Sequence, residues 1–278
     1  MKLSPFRVAL GLSAFAATSP AFSTQAHSAT SRRPASVMME RMTTAEVRDA
    51  IHSGKIIVLI PSGSTEATGP AIALGKHLVR AHYIAEHIAQ ALGNALVAPV
   101  MPFAPTTDES RFAGTVNLSA DAFSRVNEDV AESMVRSGFK YIILMGDHDQ
   151  NQPLLRTLAS KLDEKHRAEG VRVFFSSDAY AKTNKEIDEY LKAKGYPPSR
   201  HGGVSDTSLT WAANPDYVHP DRIVVGAPVP PAGSPLSLGA IGIEGDPRRA
   251  SSELGKMFLE WKIKNATAEI RQLVSSSK

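Results

Sequence analysis

The stretch "KIIVLIPSGSTEATGPAIALGKH", residues Lys55 to His77, decides the fold class because it joins a strand to a helix. Its first half is continuously apolar rather than alternating, which is typical of a strand covered on both faces. A loop rich in Pro, Gly and Ser follows, and apolar residues then recur at helical spacing from His77 to Leu92. This order of elements predicts the first half of a βαβ unit.

The same alternation continues along the chain. Apolar segments of strand length occur in "ALVAPVMPF", "YIILMGDHDQN" and "VRVFFSSD", with helical patterns between them. Strands separated by helices of this length predict an α/β fold with a mainly parallel sheet, whose functional loops lie at the carboxyl ends of the strands. In the helix predicted from Asp121 to Val135, the apolar pattern predicts inward-facing side chains at Phe123, Val126, Val130 and Met134.

Two helix starts can be predicted from local side-chain chemistry. Thr43 and Glu46 have the spacing of a capping box, in which each side chain bonds to the backbone N–H of the other residue. Asn151 is expected to cap the helix that has Pro153 in its first turn. The folded domain is therefore predicted to begin at residue 43.

The N-terminus has the layout of a secretory signal peptide. A basic start precedes an apolar segment that is too short for a stable membrane anchor, and small residues follow at cleavage-site spacing. We predict a signal peptide over residues 1–28, a flexible mature N-terminus over 29–42 and a single α/β domain over 43–278. The mature protein is expected to be periplasmic or secreted, with no membrane insertion after cleavage of the signal.

The composition restricts the partners and the metal ligands. The chain carries 31 Lys and Arg against 28 Asp and Glu, without a basic stripe interleaved with aromatic residues, so nucleic acid is not an expected partner. It has no cysteine, which excludes disulfides and thiolate ligands. Any metal must therefore be held by His, Asp and Glu.

Acids and histidines occur where loops leave the predicted strands. Glu66 follows the first strand, His77 begins the next helix, and His148 follows the third strand between Asp147 and Asp149. Carboxylate and imidazole donors suit Zn²⁺ or Mn²⁺. Other interpretations are open: Glu66 can cap a helix, His77 can be a solvated residue at a helix start, and the two aspartates can bond to loop amides.

A second loop, "SRHGGVSDTS", carries His201 and Asp206. Two glycines follow the histidine and would let the loop fold over a cleft, bringing a proton carrier to a substrate. Asp206 also begins an apolar helical run, so a helix-capping role is open as well. Ser205 lacks the G-x-S-x-G turn expected around a nucleophile.

Five segments of the chain resemble, in the same order, motifs of the creatininase (creatinine amidohydrolase) family. They are "IPSGSTEATGPAIALGKH", "DESRFAGTVNLS", "MGDHDQN", "HGGVSDTS" and "GIEGDPRRASSELG", and they extend over about residues 44–259. The resemblance implies a three-layer α/β/α sandwich with a mainly parallel central sheet, homo-oligomers that are often hexameric, and a two-metal site of Zn or Mn. The reactions it implies are hydrolyses of C–N bonds in cyclic amides, formamides and small peptides.

The chain departs from the ligand pattern of that family. Glu66 and His148 match metal-binding positions, whereas His77 stands where the family has an Asp that bridges two ions. Thr68 stands at the position of a histidine ligand, and Gln150 at that of a glutamate ligand. Because an imidazole does not bridge cations as a carboxylate does, the pattern implies one Zn or Mn ion rather than two.

Two hypotheses of function follow. In the first, Glu66, His77 and His148 hold one ion of a periplasmic amidohydrolase that cleaves a small-molecule substrate. The resemblance matches His201 to an acid/base histidine, the proton shuttle, and Asp206 to a carboxylate that either joins the metal or orients His201. In the second, the loss of ligands has produced a metal-poor or non-catalytic binding protein of the same fold.

Overall fold

Four parallel strands form the centre of the protein. The computed structural model describes residues 36–231 and 233–277. The strands run in the order β2-β1-β3-β4, and each neighbouring pair is parallel. Their bounds are β1 (Ile57–Ser62), β2 (Ala95–Val97), β3 (Tyr141–Gly146) and β4 (Arg172–Ser176).

Helices cover both faces of this sheet. Side chains of α2, α5, α6 and α7 belong to the core on one face, and those of α1, α3 and α4 to the core on the other. The predicted three-layer α/β/α sandwich is confirmed. The helices are α1 (Thr44–His52), α2 (Lys76–Leu92), α3 (Ala120–Arg136), α4 (Gln152–His166), α5 (Ala181–Ala193), α6 (Val204–Ala213) and α7 (Ser252–Ser275).

The continuous apolarity of β1 has a direct structural cause. All six of its residues are buried, with Ile57 and Leu59 in one core and Val58 and Ile60 in the other. Successive side chains of a strand point to opposite faces, so a strand between two helical layers needs apolar residues at every position.

The register of the strands brings the loops after β1 and β3 together. Ser62 pairs with Gly146 at the carboxyl ends of these strands, and the backbone N–H of Asp147 donates to Ser62 O at 2.9 Å. The loop that carries Glu66 therefore leaves the sheet beside the loop that carries His148. The candidate site lies at this edge of the sheet.

The two predicted helix starts have different outcomes. The capping box is present, because Thr43 N donates to Glu46 Oε2 at 2.6 Å and Glu46 N to Thr43 Oγ1 at 3.3 Å. The prediction that Asn151 caps its helix is wrong: its side chain makes no capping bond, and its backbone is helical at φ −84° and ψ −18°. A capping residue needs an extended backbone to turn its oxygen toward the helix amides.

Helix α3 differs from the sequence prediction in which side chains face the sheet. Val126 is 41% exposed, and Asn127 is buried instead, one turn after Phe123. Asn127 is satisfied there, because its Nδ2 donates to Phe123 O at 2.9 Å and its Oδ1 accepts from Ser62 Oγ at 3.1 Å. The polar residue thus joins α3 to the end of β1, which a purely apolar pattern does not reveal.

The N-terminal predictions lie largely outside the described residues. This holds for the signal peptide over residues 1–28 and for the start of the flexible segment predicted over 29–42. Within that segment Val37 and Met38 are buried, and Met38 forms a β-bridge with Val97, so packed structure begins before residue 43. In the described part of the chain, no helix is long and apolar enough to cross a membrane.

The adjacent residues Asn127 and Val126 provide a test of the α3 packing. Asn127→Ala should lower the free energy of unfolding by about 1–3 kcal/mol, because the Ser62 hydroxyl and the Phe123 carbonyl lose a buried partner. Val126→Ala should change it by no more than about 0.5 kcal/mol. Urea denaturation of both variants measures the difference, and a larger loss in Val126→Ala would contradict the observed orientation.

Candidate active site

The carboxylate of Glu66 is the centre of a buried cluster of polar side chains. Its Oε1 lies 3.0 Å from His77 Nε2 and 3.3 Å from Lys76 Nζ. Its Oε2 lies 2.9 Å from His148 Nε2 and accepts from Ser64 Oγ at 2.8 Å. Burial alone would raise the pKa of Glu66, but His77, Lys76 and His148 hold it well below its usual range. Glu66 is therefore an anion at neutral pH and does not cap a helix.

His77 is held between two carboxylates and is not solvated. It is 4% exposed, and its Nδ1 lies 2.9 Å from Asp147 Oδ2. Arg80 donates to the same oxygen, and this contact holds the pKa of Asp147 far below its usual range although burial opposes it. The tautomer that donates Nδ1–H to Asp147 would leave the Nε2 lone pair free for an ion placed between His77 and Glu66. A carboxylate behind a histidine in this way orients it as a metal ligand.

His148 approaches Glu66 from the loop after β3. Its ring stands edge-on to that of His77, with centroids 5.1 Å apart. Burial alone would lower the pKa of His148, but the carboxylate of Glu66 raises it above the ordinary value. Within the described residues, His148 Nδ1 has no hydrogen-bond partner. Asp149 accepts from the backbone N–H of Gln150 at 2.7 Å, as expected of a loop acid, and lies 3.4 Å from His148 Nε2.

Glu66, His77 and His148 fit a metal ion. One ligand atom from each lies within 4.8 Å of those of the other two, and all three residues are buried. Two ligand atoms that each lie about 2.0–2.2 Å from one ion are about 3–4 Å apart, close to the separations observed. One carboxylate and two imidazoles suit Zn²⁺ or Mn²⁺ and leave a coordination position open.

Two side chains at substituted ligand positions are engaged elsewhere. Thr68 Oγ1 lies 3.3 Å from His201 Nε2. Gln150 Oε1 accepts from the backbone N–H of Thr107 at 3.2 Å, and its Nε2 lies 3.4 Å from Asp108 Oδ2. Neither side chain is hydrogen-bonded to Glu66, so the cluster has three of the five ligand positions implied by the family resemblance.

Two cations at the start of α2 were missed by the sequence analysis. Lys76 Nζ lies 3.0 Å from Asp206 Oδ2 in addition to its contact with Glu66, and Arg80 Nη1 donates to Asp206 Oδ1 at 2.7 Å. Lys76 and Arg80 are four residues apart on the helix, so they share a face. That spacing, next to His77, was the available signal. A pattern of His, Asp and Glu predicts ligands, but it does not predict the cations that a buried carboxylate needs.

Asp206 fixes the loop that carries His201 and makes no hydrogen bond to the His201 ring. Its Oδ2 accepts from the backbone N–H of Gly202 at 2.8 Å, next to the histidine. Burial alone would raise the pKa of Asp206, but Lys76 and Arg80 hold it well below its usual range. The carboxylate therefore links this loop to helix α2 by charge.

His201 presents one free lone pair to the cluster. Its Nε2 lies 3.0 Å from the carbonyl oxygen of Ala67 and donates to it. The unprotonated Nδ1 then faces Glu109 Oε1 at 3.6 Å and Glu66 Oε1 at 3.8 Å. Burial and the charge of Lys76 lower the pKa of His201 to about 4, so the ring is neutral at pH 7.

Glu109 is a further functional candidate that the sequence analysis missed. It is fully buried, and neither carboxylate oxygen has a hydrogen-bond partner in the described part of the chain. Burial and the nearby charge of Glu66 raise the pKa of Glu109 to about 7. The available signal was an acid within "DESRFAGTVNLS", one of the five motifs that carry the family resemblance.

These side chains surround one cleft of small-molecule size. Its volume is about 220 Å³, and helix α5 forms part of its wall through Asn184, Ile187 and Asp188. The lining also contains both sides of the cluster: Lys76, His77, Arg80, Glu109, His148, Asp149, His201 and Asp206. A ligand in the cleft would contact His77, His148 and His201 together, whereas Glu66 is buried and is not part of the lining.

The raised pKa of Glu109 predicts a pH-dependent stability in metal-free protein. The folded state binds more protons at this carboxyl than the unfolded chain between about pH 4.5 and 7. Its stabilising contribution is complete below pH 4.5 and is lost as the pH rises through about 7. Glu109→Gln cannot titrate and so lacks this loss. On going from pH 4 to pH 8, the free energy of unfolding of the variant should therefore rise by on the order of 3 kcal/mol relative to that of the wild type.

Urea denaturation in the presence of a chelator at both pH values measures this difference. Asp108→Asn is the matched control, because Asp108 is the exposed neighbour in the same loop and should give no comparable change. If the difference between Glu109→Gln and wild type did not vary with pH, the buried carboxyl would not titrate near neutrality.

Comparison with known proteins agrees with this fold and cluster. The model of the creatininase (creatinine amidohydrolase) family matches residues 40–270. Creatinine amidohydrolase of Pseudomonas putida is 24% identical over 85% of this chain and 97% of its own length. Mycofactocin precursor peptide peptidase of Mycolicibacterium smegmatis is 25% identical over 76% of this chain and 83% of its own length.

Solved structures give the same result for the fold. A structure described as creatininase Mn superimposes with a TM-score of 0.72 at 23% identity, covering 85% of this chain and 98% of its own. The family model matches most of the chain, and the parallel sheet and helical layers are those of creatininase structures. The chain belongs to the creatininase family.

Proposed function

We propose that the protein is a metal-dependent amidohydrolase that cleaves a C–N bond in a small-molecule substrate. The observation that carries the proposal is the convergence of His77 and His148 on the buried carboxylate of Glu66, beside a cleft that His77, His148 and His201 line. Buried imidazoles around a buried carboxylate need a cation or protons between them, because their lone pairs otherwise repel. One Zn²⁺ or Mn²⁺ ion satisfies all three.

Each residue of the cluster has a distinct part in this proposal. Glu66, His77 and His148 hold the ion, and Asp147 keeps the His77 ring in the required tautomer. When bound, the ion lowers the pKa of its water to about 7 and polarises the scissile carbonyl. His201 Nδ1 takes the proton released by the attacking water and delivers it to the leaving nitrogen as the C–N bond breaks. Asp206 holds the His201 loop in place through Gly202.

The substrate class rests on the relatives and on the size of the cleft. Relatives named for creatinine and for a precursor peptide both act at a C–N bond, so we propose a cyclic amide, a formamide or a small peptide. Secretion to the periplasm and assembly as a homo-oligomer, by resemblance a hexamer, are also proposals. The N-terminal layout supports the first, and the family resemblance supports the second.

Metal analysis and two histidine variants test the role of the ion. Protein purified without chelator should contain about one Zn or Mn per chain, measured by elemental analysis. His148→Ala should lose the metal and the activity together. His82→Ala is the control, because His82 pairs with Glu40 away from the cleft and should keep both. A His148→Ala variant with wild-type metal content would exclude this ligand set.

The proton-transfer role of His201 has its own test. His201→Ala should keep its fold and metal content while turnover on any amide the protein cleaves falls about 10²–10⁴-fold, the usual contribution of a positioned acid/base. Steady-state rates with parallel metal analysis measure this. Wild-type turnover in His201→Ala would assign the proton transfer to another group.

One observation favours the metal-poor alternative. Three cations of the chain, Lys76, Arg80 and Lys262, lie within 4.0 Å of the carboxylates of Glu66, Asp206 and Asp147, respectively. A binding protein of this composition needs no metal to neutralise its interior. Protein that remains metal-free when supplied with Zn²⁺ and Mn²⁺ would favour this function over hydrolysis.

A further inference from the structure

The cluster contains a second group of three acceptor atoms that lie close together and do not include His77. They are Glu66 Oε1, Glu109 Oε1 and His201 Nδ1, and one ligand atom from each residue lies within 4.8 Å of the others. His201 Nδ1 is an acceptor because its Nε2 carries the proton donated to Ala67 O. Acceptors that converge in a buried place repel one another unless a cation or a proton lies between them.

The spacing of these atoms differs from that in the cluster around His77. Glu66 lies 2.9–3.0 Å from the nearest nitrogens of His77 and His148, a distance that suits a hydrogen bond as well as a shared ion. His201 Nδ1, in contrast, stands 3.6 Å from Glu109 and 3.8 Å from Glu66, too far for a good hydrogen bond. Atoms that share an ion at about 2.0–2.2 Å are separated by about 3–4 Å, so this spacing suits a cation.

Glu109 supplies an independent sign of a ligand. Its side chain is 1% exposed, and both of its oxygens lack a hydrogen-bond partner within residues 36–231 and 233–277. Buried carboxylates are expensive unless they are paired or bind a metal. The described structure therefore contains an unsatisfied ligand directed at the other two.

We propose that Glu66, Glu109 and His201 form a second cation position, which shares Glu66 with the first and inhibits the enzyme when it is filled. An ion there uses the lone pair of His201 Nδ1, the atom that must accept a proton in the proposed reaction. One lone pair cannot bind a metal and a proton together. The inhibitory role thus rests on the proposed function, whereas the position itself rests only on the three side chains.

The second position should bind more weakly than the first. Lys76 Nζ lies 3.3 Å from Glu66 Oε1, so an ion bound to that oxygen is repelled by a nearby ammonium group. The two ions would also repel each other across the shared carboxylate. The first position should therefore fill at lower metal concentration, and the second only in excess metal.

Calorimetric titration of chelator-treated protein with Zn²⁺, together with elemental analysis after dialysis, tests the proposal. The wild type should bind two ions per chain in two classes of different affinity. Glu109→Gln should retain only the tighter ion after dialysis. The dissociation constant of its weaker class should rise by more than the ~10–100-fold that is typical of outer-sphere partners. Asp108→Asn, an exposed acid one residue away, should still bind two.

The outcomes separate this inference from the proposed function. His77→Ala should remove the tighter class and keep the weaker one. A single class of one ion that is lost in His77→Ala and unchanged in Glu109→Gln would overturn the second position and leave the proposed hydrolase intact. No binding at all would overturn both.

A kinetic readout applies once a substrate is known. The wild-type rate should pass through a maximum near one ion per chain and fall as the second class fills. In Glu109→Gln, scaled to its own maximum, the fall should move to at least about 100-fold higher Zn²⁺. Two bound ions without any fall in rate would refute the inhibitory role.

Discussion

The site depends on one constraint, a fully buried carboxylate at Glu66 that must be surrounded by positive charge or by protons. An uncompensated anion in a protein interior costs several kcal/mol, so burial of Glu66 requires compensating neighbours. His77, His148 and Lys76 all approach it within 3.3 Å. The loop after β3, the start of α2 and the loop of His201 all approach this carboxylate.

Much of the fold could be predicted from the sequence, because strong local patterns coincide with the tertiary structure. The unbroken apolar run of β1 reports burial on both faces, and the Thr43–Glu46 pair forms the capping box that its spacing predicts. The failures share one cause. Asn127 and Asn151 are polar residues whose position depends on partners distant in sequence or on backbone angles, and neither can be derived from local periodicity.

The candidate site could be predicted in part for the same reason. Glu66, His77 and His148 follow strand ends, and parallel strands bring such residues to one edge. Lys76 and Glu109 were missed because their importance comes from their surroundings in the folded chain. Lys76 neutralises Glu66, and Glu109 has no hydrogen-bond partner among the described residues. A sequence supplies the donors and acceptors of a site, but their pairing appears only in three dimensions.

The cations on helix α2 also affect the order of events during maturation. Many small metal-binding domains fold only when the ion arrives, because nothing else neutralises their ligands. Here Lys76 and Arg80 are part of the chain and reach Glu66, Asp147 and Asp206 as soon as α2 packs on the sheet. In the proposed metal-dependent enzyme, folding and metal loading would therefore be separable, and the availability of the ion would set how much of an already folded population is active.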